Sequence, residues 1–65
     1  MTNWTAIINE AGKSNVQDFV NSELSKENFY DLFKGTELGG EVRRLLRTNG
    51  AQKARQLARK ALNRR

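Results

Sequence analysis

The sequence predicts an all-α fold, a compact bundle of four to five short helices. Proline is absent, apolar residues recur at i, i+3 and i+4, and glycines and cap-type residues punctuate the chain at short intervals. Each segment between these stops is long enough for a few helical turns and no more.

In the first segment Trp4, Ile7, Ile8 and Ala11 lie on one helix face. Thr2 or Asn3 is placed to cap its start, and Gly12 to end it in a left-handed conformation. The second helix is expected to open at Ser14 or Asn15 and to bury Val16, Phe19, Val20 and Leu24. Ser25 starts the third, with Glu27 near the positive end of its dipole, Phe29, Leu32 and Phe33 facing inward, and Gly35 as its stop. Tyr30 falls off that stripe, so it reads as a surface tyrosine open to contact.

After "GTELGG" the spacing of Leu38, Val42, Leu45 and Leu46 predicts a fourth helix, ended by "TNG" at 48–50. Gly39 and Gly40 leave its first turn weakly defined, since a glycine inside a helix costs up to about 1 kcal/mol relative to alanine. The fifth segment gathers Ala51, Ala54, Leu57, Ala58, Ala61 and Leu62 within one arc. That face suits close packing but offers little apolar area, so light docking and a fraying end are expected. The last two helices, joined by a short glycine turn, have the outline of a helix-turn-helix.

Residues 1–65 read as one small domain, and a chain of this length buries only about 60% of its unfolded surface. Charge divides it in two. Residues 1–41, the core-forming part, hold three lysines against seven acids, whereas residues 42–65 hold nine cations and no acid. The boundary falls inside the fourth helix, so it marks a change of surface and not of domain.

Catalysis is not expected, because the chain has no cysteine and no histidine, and no serine sits beside an activating group. Glu23, Glu27 and Asp31 lie four apart and read as a solvated face. The usual zinc ligand sets cannot be assembled, and no cofactor motif is present: "GTELGG" lacks both the Gly-Lys-Ser/Thr of a phosphate loop and a preceding strand, so it reads as a tight turn. No apolar run approaches the length of a membrane span, and "MTNWTAIINEAGKS" does not read as a targeting segment. A cytoplasmic location is expected, whether nucleoid-associated or virus-encoded.

The basic part points to a partner. Arg43 and Arg47 form a like-charge i, i+4 pair, which is unfavourable by a few tenths of a kcal/mol, about 0.2–0.5, unless an anion lies between them. Dipole compensation accounts for Arg64, Arg65 and Arg47, but not for Arg43, Lys53 or Arg55. Phosphates supply the missing anions, so the expected partner is nucleic acid, duplex DNA ahead of structured RNA.

On a helix-turn-helix reading, Gln52, Lys53, Gln56 and Arg59 face base edges. Arg43, Arg44, Arg47, Arg55 and Lys60 hold phosphates, with Arg64 and Arg65 extending the basic end. Such proteins commonly combine two half-sites, so a homodimer fits this reading. An arginine-rich helix in an RNA hairpin fits the last 16 residues almost as well, whereas stacking on single strands fits less well because residues 42–65 contain no aromatic. The competing expectation is an adaptor, inhibitor or assembly protein that docks its basic surface on an acidic protein.

Overall fold

The computed structural model describes residues 2–64. Four helices follow one another: α1 (Trp4–Ala11), α2 (Lys13–Val20), α3 (Lys26–Asp31) and α4 (Gly39–Asn63), with no strand among the described residues. α4 is two arms, 39–49 and 51–63, because Gly50 breaks it at φ 80 and ψ 164. A straight helix of its 25 residues would run about 37 Å, longer than the largest principal dimension of 27 Å. Its bend lets both arms stay on one core. The radius of gyration is 10.2 Å, against about 10.7 Å for a compact chain of this length.

The joints explain the order. Asn3 caps α1 by accepting from the Ala6 N–H at 3.2 Å, and its own N–H donates to the Glu41 carboxylate at 2.7 Å, which pins the start of α1 to the first turn of α4. Gly12 then ends α1 and begins α2 by itself, with φ 94 and ψ 139, in the positive-φ region that favours glycine, as expected of this stop. The second helix consequently starts at Lys13, and neither Ser14 nor Asn15 caps it. The one residue between the helices, Gly12, caps both and has no side chain to accept an N–H, and Asn15 instead donates backwards to the Ala11 carbonyl at 2.7 Å.

α2 ends in a Schellman arrangement. The Glu23 N–H donates to the Asp18 carbonyl and the Ser22 N–H to that of Phe19, with Ser22 at φ 65 in the position glycine usually fills. Ser25 caps α3 through the Asn28 N–H at 3.1 Å, as its sequence predicts. α3 stops at Asp31, earlier than Gly35, and the chain continues to Phe33 in i to i+3 turns. Thr36 ties the next turn by donating its hydroxyl to the Phe33 carbonyl at 2.6 Å and accepting from the Leu38 N–H.

Gly39, expected to loosen the first turn of α4, is buried there. A Cβ at this position would lie 2.8 Å from the Phe33 carbonyl oxygen, so close approach of the two backbones requires glycine. "GTELGG" is the tight interhelix turn that its sequence predicts.

Ile7, Val16, Phe19, Phe29, Phe33, Val42, Leu45, Leu46, Ala54 and Ala58 form the core, and no polar side chain is buried among the described residues. Phe19 stacks on Phe29 with centroids 4.0 Å apart, and Phe33 meets Phe29 edge-on at 5.2 Å. The second arm of α4 is more firmly docked than its small apolar face suggests. Ala54 and Ala58 are fully buried, because small side chains admit the helix close to its neighbours.

Candidate nucleic-acid interface

The residues that the sequence nominates all belong to α4 or its end, and winding at about 100° per residue sorts them by direction. On the second arm Gln52, Lys53, Gln56, Arg59, Lys60 and Asn63 fall within an arc of about 120°, opposite Ala54 and Ala58. All six are exposed. On the first arm Arg43, Arg44 and Arg47 are exposed and line one shallow depression with Gly40 and Thr48. Arg64 caps the C-terminal end and is exposed, and Arg65 lies outside the described residues.

The electrostatics of these positions are unfavourable for the isolated chain. Lys53 stands in the first turn of the arm that begins after Gly50, where the positive end of a helix dipole disfavours a cation, and Arg43 and Arg47 face each other as like charges at i, i+4. Every exposed charged side chain from Val42 to Arg64 is a lysine or an arginine.

Arg55 stands apart from this set. Its Nε donates to the Phe19 carbonyl at 2.9 Å and its Nη2 to that of Leu24 at 3.3 Å. The guanidinium carbon sits 4.9 Å from the Phe19 ring centroid, in cation–π range. Placed at the C-terminal end of α2, the cation also complements that helix dipole. Expected among the phosphate-holding side chains, Arg55 is instead half-buried and committed to the fold. Its partners lie 36 and 31 positions away, too far for helical spacing to signal them.

The joint between the arms also differs from the outline drawn from sequence. Thr48 and Asn49 remain helical and the direction changes at Gly50 alone. A helix-turn-helix places a turn of three to four residues at this point, roughly. The geometry of the two arms is therefore that of a kinked helix whose outward faces are basic.

Tyr30 is expected at the surface, and the structure covers part of it. It is half-buried, and with Lys26 and Glu27 of α3 it faces Arg43, Leu46 and Arg47 of α4 across a small open hollow. Glu23, Glu27 and Asp31 are all exposed, and among the described residues no group of three acidic side chains is placed to hold a metal.

No helix among the described residues is long and apolar enough to cross a membrane. Comparison with protein-family models, with curated proteins and with solved structures finds no match for this chain.

Proposed function

We propose that this chain is a non-catalytic nucleic-acid-binding protein, with duplex DNA ahead of structured RNA as its ligand and a regulatory or accessory role in the cytoplasm. The observation that carries the reading is the outward face of α4, on which all exposed charges are positive from Arg43 to Arg64. Lys53 at a helix N-terminus and the Arg43–Arg47 pair at i, i+4 spacing raise the energy of the free protein, and a line of phosphates relieves both strains.

Arg43, Arg44, Arg47, Lys53, Arg59, Lys60 and Arg64 are the phosphate contacts in this reading, and Gln52 and Gln56 stand between them as side chains able to reach base edges. Arg55 is left to the fold. The test is a titration with random-sequence duplex DNA and hairpin RNA across a range of salt. Seven phosphate contacts give a log–log salt slope of about −6 on duplex DNA. Absence of binding at low salt overturns the reading and points to an acidic protein partner.

A further inference from the structure

We infer that the hollow between α3 and the first arm of α4 receives one unpaired base of the bound nucleic acid, with the base against Tyr30 and Leu46 and its flanking phosphate on Arg43 and Arg47. This rests on the proposed nucleic-acid function and names the kind of nucleic acid that the surface selects. The hollow measures about 190 Å³ and its lining is largely apolar. A cavity of about 150 Å³ is known to take up benzene, so the space suits one planar ring held at an open site.

The rim decides the occupant. Lys26, Arg43 and Arg47 outweigh Glu27, so an apolar floor is bordered by net positive charge. A hydrophobic side chain of a protein would fill the floor and leave these cations unanswered. A nucleotide carries a flat π-face and an anion in one unit and satisfies both. Paired bases are stacked in the duplex and their faces are covered, so the base in question must be unpaired, as at a bulge or in a loop. The basic part of the chain has no aromatic residue of its own, and packing of α3 on α4 brings it Tyr30.

The experiment compares a fully paired DNA duplex with the same duplex carrying one central bulged adenine, by fluorescence anisotropy at fixed salt. The readout is the ratio of the two affinities for each protein. Stacking of one base on an aromatic ring corresponds to about a 5- to 150-fold ratio for the wild type. Tyr30→Phe keeps the ring and should keep the ratio, whereas Tyr30→Leu retains apolar volume without a π-face and should bring it close to one.

A second measurement needs no variant. Photocrosslinking of a bulged 5-bromodeoxyuridine to the wild-type protein should map to Tyr30. Equal affinities in the wild type, an unchanged ratio in Tyr30→Leu, or crosslinks elsewhere would each overturn the assignment while leaving duplex binding intact. If neither duplex binds this assignment fails, and if hairpin RNA is not bound either the proposed function fails with it.

Discussion

Replacing Arg55 with alanine should unfold this protein more readily and leave its phosphate-binding surface in place. Two hydrogen bonds from a charged donor are worth about 1.5–3 kcal/mol each when buried, but Arg55 is half-buried and water can replace part of that, so about 1 kcal/mol each is the appropriate scale. The contact over Phe19 adds about 0.5–1 kcal/mol. The expected loss is about 2–3 kcal/mol, set against a total stability of about 3–10 kcal/mol for a domain of this size. At about 4–8 °C per kcal/mol the midpoint should fall by about 8–25 °C.

Urea and thermal unfolding followed by far-UV circular dichroism and by Trp4 fluorescence would measure it. Arg55→Lys keeps the charge but loses the planar fork, so it should recover only part of the loss. A loss below about 0.5 kcal/mol in Arg55→Ala, the range of ordinary surface substitutions, would refute the argument. Arg55 would then be one more surface cation.

Gly39→Ala should destabilise by about 1–3 kcal/mol because its Cβ meets the Phe33 carbonyl at 2.8 Å, while Gly40→Ala, with open space around it, should stabilise by up to about 1 kcal/mol; equal effects in urea unfolding would contradict the close approach. Ser22→Gly relieves a left-handed backbone position and should raise stability by about 0.5–1 kcal/mol, which a calorimetric midpoint checks; a fall would show that the serine hydroxyl matters more than its φ of 65. Reversing Arg43, Arg47 and Arg59 to glutamate should abolish DNA and RNA binding with the circular dichroism spectrum unchanged, and persistence of binding would remove the outward face of α4 from the proposed interface. Arg55 is left out of that set because its reversal would place a carboxylate against the carbonyls of Phe19 and Leu24.

The elements were legible to the extent that their signals are local. The stripes Val16–Phe19 and Val42–Leu45–Leu46 are buried as their spacing predicts, and Asn3 and Ser25 cap the helices they precede. Ser14 misleads because a serine just ahead of an apolar stripe is a cap only if the chain leaves a turn for it, and the single-residue joint at Gly12 does not. "TNG" does mark a stop: Gly50, at φ 80, ends the first arm and the second begins at Ala51.

The sequence by itself determined an all-helical chain with an acidic core-forming part and a basic helical end. Helical periodicity, capping and net charge depend on residues within a few positions of one another, so they can be read along the chain. Only the tertiary structure decided which cations are free. It removed Arg55 from the surface, pinned Asn3 to Glu41 across 38 positions, and set Tyr30 beside Arg43 and Arg47. Those contacts join distant segments whose approach depends on how the helices pack, which no local spacing encodes.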